Sequence, residues 1–302
     1  MDDDALTRTW RPPFPLDLRR VLAPLRRGLG DPTMRVDPDA VWRATTTAAG
    51  PATLRLGRDG SGVVATAWGP GARAVLDGVP DLLGASDDDA GFAAVHDVVE
   101  RGRRLSHGVP LSSSGRVWDV LVAAVLEQKV TNREAWRSWR ELCRRFGTPA
   151  PGPADDLRVP PDPVQLRRIR DWEWHRIGVD GARRRTLLAA ASVAGRLERA
   201  VRLRGEAGRD LLRHVPGIGP WTAAEVAQRA WGDPDAVSVG DFHLSTIVGL
   251  ALTGHPLDDD GMLDALAPYA GQRHRAVRYL SAAGVHRPRY GPRMPARDYR
   301  RM

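Results

Sequence analysis

The spacing of apolar positions changes character once along the chain. Residues 15–28, PLDLRRVLAPLRRG, carry apolar residues at helical spacing and predict an amphipathic helix. The segments AVWRATTTA (40–48), ATLRLG (52–57) and GVVATAWG (62–69) are short, β-branched and separated by Gly, Pro and Asp. They predict a small antiparallel sheet. A helix is predicted near GARAVLDGVPDLLG at 71–84. From Phe92 the strand pattern stops. GRVWDVLVAAVLEQ, NREAWRSWRELCRRFG, ARRRTLLAAASVAGRLERAV, WTAAEVAQRAW and HRAVRYLSAAG all predict helices broken at Gly and Pro. The Pro-rich stretch 149–163 reads as a linker between helices, and the tail from His286 as basic, Pro-rich and loosely ordered. The predicted class is α+β. A small N-terminal domain with an antiparallel sheet spans 1–90, a mainly helical domain spans 91–285, and the tail spans 286–302.

Composition narrows the function classes. A chain of 302 residues is long enough for two or three cores, and 42% hydrophobic with 27% charged residues is a globular composition. No apolar run approaches the ~18 residues that span a bilayer, and MDDDALTRTW lacks the apolar core of a signal peptide. A single cysteine, Cys143, forms no internal disulfide or thiolate cluster, so a reduced bacterial cytosol, at the nucleoid, is the expected compartment. Lys129 is the only lysine among 45 basic residues, a bias expected of a GC-rich genome. The distribution of charge is more informative. Residues 1–100 hold 11 Arg against 15 acids, and the remainder holds 34 basic residues against 22 acids. A positive field confined to the helical part suits a phosphate-bearing partner, and a merely solvated basic surface is the plainer alternative. The histidines lack metal-site spacing, and no phosphate-binding Gly-rich loop follows a strand.

The densest motif is LLRHVPGIGPWTAAEVAQRAWGDPDAVSVGDFHLS, residues 211–245. Pro216 stops one helix, Gly217 and Gly219 permit positive φ and close backbone approach, and Pro220 is a favoured first-turn residue of the next helix. The N–H groups of such a turn and helix start converge on one spot suited to a phosphate. Taken alone, the turn reads equally as packing between two helices. Asp241 stands before the apolar run FHLSTIVGLAL, where it fits a helix cap. Capping does not preclude catalysis.

The stretch as a whole resembles the helix-hairpin-helix and Gly/Pro-Asp signature of base-excision DNA glycosylases, and within them the 3-methyladenine DNA glycosylase II family. TWRPPFPLDL, LVAAVLEQKVT and WHRIGVDGARRRTLLAAASVAG extend the resemblance over nearly the whole chain. It implies a helical domain in two lobes and a monomer acting on double-stranded DNA that contains a damaged, alkylated base. The target base leaves the stack while the hairpin grips the backbone. Pro216, Gly217, Ile218 and Gly219, with Thr222 in the next turn, are the implied grip. Asp241 would stabilise the oxocarbenium-like sugar and align or deprotonate water. Main-chain carbonyls of Arg213, Val215 and Ile218 would hold a Na⁺ or K⁺ bridging to a phosphate. No cofactor is required, and the four cysteines of the iron–sulfur branch are missing.

The resemblance also assigns a base pocket. Gln128 and Trp221 match its glutamine and tryptophan, and Lys129 falls where the family places a wedge into the vacated stack. A solvent-facing turn lysine is the equal alternative. Three positions depart from the family, since Leu22, Glu225 and Gln272 stand where it has aromatic residues. A cationic alkylated purine is expected to stack on such rings, so the substrate range is in question. Glu225 would pair either with a cationic base or with a neighbouring arginine. Lyase-type relatives place a lysine where Trp221 stands, which implies a monofunctional enzyme. The competing readings are a glycosylase for deaminated or oxidised bases and a non-catalytic damaged-DNA-binding protein.

Overall fold

The computed structural model describes residues 5–60 and 62–286. The tail expected at 286–302 falls outside the described residues beyond His286. Five antiparallel strands, β1 (Leu6–Trp10), β2 (Met34–Val36), β3 (Ala40–Thr47), β4 (Gly50–Asp59) and β5 (Gly62–Trp68), form a sheet in the order β1-β5-β4-β3-β2. The three central strands are those that the pattern predicts. The two edge strands are not. β1 is largely exposed and β2 has three residues, so neither carries the apolar alternation that marks a half-buried strand.

Period-two alternation gives the sheet two buried faces. Val41, Leu54, Leu56, Val63, Ala65 and Ala67 point into the main core, while Ala40, Trp42, Ala44 and Trp68 point the other way. Trp42 and Trp68 stack at 5.5 Å between centroids. They are covered by Ala150, Ala154, Leu157 and Val159. The Pro-rich stretch is therefore no free linker. Thr148–Pro149 pairs antiparallel with Arg158–Val159, and the intervening turn lies on the sheet. Prolines and two-residue strands hide that structure from a periodicity reading. The predicted helix at 15–28 is also shorter, an α-helix over Leu18–Leu22 and a 3-10 turn over Ala23–Leu25, because Pro24 lacks the N–H needed to extend it.

The helix Trp118–Leu126 is buried along its whole length and joins sheet to helices. Asp119 docks it onto the threonine run of β3, accepting from Thr46 Oγ1 at 2.9 Å and from the Thr45 hydroxyl. Glu198 caps its start by accepting from the backbone N–H groups of Val117 and Trp118, both at 2.9 Å. Its C-terminal end points toward the hairpin described below.

Buried side chains divide into two cores beside the sheet's outer cluster. One runs from the inner face of the sheet through Trp118–Leu126 to Ala236. The other gathers Phe92 and the helices Asp97–Leu105, Leu244–Leu252, Asp259–Ala265 and Arg273–Ala282. Phe92 stacks on Tyr269 and meets Tyr279 edge-on. Gly102 lets Asp97–Leu105 touch the backbone of Arg273–Ala282, since a Cβ there would lie 1.8 Å from the Tyr279 carbonyl oxygen. Any larger residue would push the last helix away from the seam between the cores. Among the described residues no helix is long and apolar enough to cross a membrane.

Candidate active site

Two helices, Gly205–Arg213 and Pro220–Ala230, form the hairpin. Val215 and Ile218 are each 4% exposed, and the Ile218 N–H donates to the Val215 carbonyl at 3.0 Å, so the turn is pinned from inside. Pro216 and Gly217 stay exposed. The two glycines differ in kind. Gly217 has φ +90°, and a Cβ there would sit 2.0 Å from Thr186 Oγ1. Gly219 is extended (φ −93°, ψ −175°), with open space where a Cβ would point. Gly217 makes the turn, and Gly219 keeps its outer face bare. At the start of Pro220–Ala230, the N–H groups of Trp221 and Thr222 precede the first i→i−4 bond and carry the positive end of the helix dipole.

Gln128 reaches this turn rather than a pocket. Its Nε2 donates to the Gly217 carbonyl at 2.9 Å and to Thr222 Oγ1 at 2.8 Å. The Thr222 side chain is buried and serves that bond, so only its backbone is available to a partner. Lys129, next to Gln128, is exposed and left-handed, with φ +53°.

Asp241 follows Gly240, whose φ of +88° turns the chain into the helix Leu244–Leu252. Its Oδ1 accepts from the N–H groups of His243 at 2.8 Å and Leu244 at 3.0 Å, so the aspartate does cap that helix. Its Oδ2 accepts a longer bond, 3.3 Å, from Trp221 Nε1. The first turn of the second hairpin helix and the carboxylate are thus tied together directly.

Beside Asp241 a cavity of about 260 Å³ opens at the seam of the two cores. Val21 and Pro24 line it from one side, and Val237, Leu244, Ile247 and Val277 from the other. Glu225, Arg229, Ser238, His274 and Arg278 supply its polar surface. No Phe, Tyr or Trp is among its lining residues as described. Both Glu225 oxygens accept a bond, Oε2 from Arg229 Nη1 at 2.8 Å and Oε1 from Ser238 Oγ at 2.6 Å. Gln228 holds Ser238 in turn, and Arg229 Nε donates to the Pro24 carbonyl. Burial pushes the Glu225 carboxyl upward, but Arg229, the Ser238 bond and Arg27 outweigh it and hold it below the usual carboxylate value. Burial, followed by the charges of Arg278, Arg229 and Arg275, drives His274 well below the ordinary imidazole range. Its ring is neutral at neutral pH.

Three expected pocket residues therefore fall elsewhere. Leu22 is a core side chain at 2% exposure, and its neighbour Val21 faces the cavity. Gln272 ends the loop before Arg273–Ala282, where it accepts from Arg275 Nε and donates to the Asp88 carbonyl at 3.4 Å. Gln128 belongs to the hairpin. Trp221 bonds Asp241 without lining the cavity as described. Glu225 does line it, in partnership with an arginine rather than free for a ligand. Arg229, Ser238, His274 and Arg278 went unread. The i,i+4 spacing of Glu225 and Arg229 was the one available clue to them.

No family model matches the chain. A thymine/uracil-DNA glycosylase of Pyrobaculum aerophilum is 29% identical over 132 residues, which is 42% of this chain and 50% of that protein. A probable bifunctional transcriptional activator/DNA repair enzyme AlkA of Mycobacterium tuberculosis is 33% identical over 128 residues, 41% of this chain and 25% of that protein. The matches thus span half or less of these relatives' own length. Among solved structures, the 3-methyladenine DNA-glycosylase of Archaeoglobus fulgidus superposes with a TM-score of 0.69 at 14% identity, covering 90% of this chain and 96% of that one. The chain has the fold of the helix-hairpin-helix base-excision DNA glycosylases. The α+β class drawn from the sequence holds, and the relatives and structures that the chain is similar to are DNA glycosylases, as the resemblance implied.

Proposed function

We propose that this protein is a monofunctional DNA glycosylase, which hydrolyses the N-glycosidic bond of a damaged base flipped out of double-stranded DNA. The observation that carries the reading is the Trp221–Asp241 bond. It fixes a carboxylate at the mouth of a base-sized cavity and beside a hairpin whose bare backbone suits a phosphate. In the proposed reaction the C1′–N bond breaks and its electron pair leaves with the base. Asp241 stabilises the positive sugar and directs water to C1′. Two backbone N–H groups hold the carboxylate in place while it does so.

Gly217, Ile218 and Gly219 would receive the DNA backbone, with the first-turn N–H groups of the second hairpin helix aimed at a phosphate. A Na⁺ or K⁺ on the carbonyls of Arg213, Val215 and Ile218 would reinforce that contact. The Val215 carbonyl already accepts one N–H and keeps a second lone pair for it. The names of the relatives range from 3-methyladenine to thymine and uracil, so the fold leaves the base open. Base release, followed by mass spectrometry on duplexes carrying alkylated or deaminated bases, tests the reading. Duplex binding without release of any base would make the protein a damage-recognition factor instead.

A further inference from the structure

Resting on the glycosylase reading, we propose that the excised base is neutral and carbonyl-bearing rather than a cationic alkylated purine, and that Arg278 stabilises it as it leaves as an anion. Three observations point this way. Arg278 lines the cavity that Asp241 borders, and among the described residues it has no ion pair and no side-chain hydrogen bond. Burial, followed by the charges of Arg229 and Arg20 and then of Arg275, disfavours its positive form, and Asp87, which is paired with Arg275, offsets that only in part. A half-buried cation among like charges is a site awaiting an anion. His274, 8% exposed, lines the same cavity as a neutral imidazole with no hydrogen-bond partner among the described residues. It offers one donor and one acceptor to a base edge.

Third, apart from Asp241, which the proposed reaction assigns to the sugar, the carboxylate lining the cavity is already paired. Both Glu225 oxygens already accept, from Arg229 and Ser238, and no Phe, Tyr or Trp ring is among the lining residues to stack under a positive purine. The chemistry sorts the two substrate classes. A base alkylated on a ring nitrogen is already positive and departs neutral, so a nearby guanidinium only opposes its binding. A neutral base departs with the C1′–N electron pair as an anion, and a guanidinium stabilises it in the transition state. Water then adds to C1′, and its released proton ends on the departed base.

Single-turnover release from duplexes carrying one deoxyuridine, deoxyinosine, 8-oxodeoxyguanosine or 7-methyldeoxyguanosine tests the proposal. We expect release of at least one neutral base. Arg278→Gln should slow that release by about 10²-fold, and Arg278→Lys should restore most of it. Removing an unpaired charge should leave the melting temperature of Arg278→Gln unchanged or raised. The ratio of 5-fluorouracil to uracil release should widen in Arg278→Gln, because the better-stabilised anion depends less on the missing cation. A merely structural role would slow both bases equally. Release of 7-methylguanine alone, or an equal loss on all bases, overturns the proposal while the glycosylase reading stands. Absence of release from every duplex removes both.

Discussion

The hairpin and the cavity, which the proposed reaction would bring to one base, are built in opposite ways. The hairpin is one continuous segment whose working surface is backbone, shaped by two glycines and pinned by buried Val215 and Ile218. The cavity is assembled from side chains of segments more than two hundred residues apart, Val21 to Arg278, meeting where two cores abut. Backbone surfaces of the first kind tolerate changes that leave the turn intact. Polar networks of the second kind fail as units, because each charge depends on its partner. Breaking one member of each region should separate folding from function in different proportions.

The largest effect is expected at Glu225. Its carboxylate is buried with Arg229, and removing one partner of such a pair commonly costs about 3–5 kcal/mol. Glu225→Gln should lose stability near the lower end of that range, since the amide still accepts one bond. The sign of the pH dependence follows from the lowered carboxyl value. The ion pair's contribution is present above the unfolded glutamate value of about 4.3 and is lost as pH falls through the lower folded value. Denaturant melts from pH 7 to pH 3 should show the gap between wild type and variant closing below about pH 4. A constant gap would mean that Glu225 acts by shape and not by charge.

Asp241→Asn should act on rate alone. The amide oxygen can still cap Leu244–Leu252, so the fold and duplex affinity should survive within a few-fold. Loss of the charge should slow base release by about 10²-fold or more. Near-normal single-turnover release in this variant would remove Asp241 from the chemistry.

The two hairpin glycines then give a contrast within one turn. Gly217→Ala places a methyl in a left-handed residue and against Thr186, and should destabilise by about 1–3 kcal/mol. Gly219→Leu meets open space and should fold normally while duplex affinity falls. Melting curves and fluorescence anisotropy on the two variants read the contrast. Equal melting temperatures for both would show that the turn does not depend on Gly217.

The same contrast explains what the sequence made legible. The hairpin and Asp241 were readable because Gly, Pro and Asp impose local geometry within 35 consecutive residues, Leu211 to Ser245. The central strands were readable because they are β-branched runs bounded by Gly, Pro and Asp. The cavity was not, because membership depends on helix rotation, and one residue of error swaps Val21 for Leu22. Near Gln272 the error was of another kind, since that residue precedes the helix whose His274 and Arg278 turn inward. Nor could Arg278 stand out in a chain where 44 of the basic residues are arginine. Its distinction is the want of a partner, which only packing reveals.

The smallest effect is expected at Lys129, and it bears on the monofunctional reading. Strand cleavage by a glycosylase needs an amine that attacks C1′ and forms a Schiff base. Arginine cannot serve at neutral pH, because its guanidinium stays protonated, and Trp221, where the lyase-type family has lysine, carries no amine. Lys129 is the only lysine side chain. Gln128 ties the backbone just before it to Gly217 and Thr222, so its base lies close to the hairpin. Its left-handed φ of +53° at an exposed turn marks a residue shaped to project outward, as a wedge into a vacated stack would. Borohydride should therefore trap no covalent adduct with damaged duplex, and Lys129→Arg should release base at the wild-type rate. Lys129→Gly relieves the left-handed strain, so it should fold at least as stably while losing whatever affinity the side chain supplies. A trapped adduct that disappears in Lys129→Arg would instead make Lys129 the nucleophile, and Asp241 a stabiliser of the Schiff base.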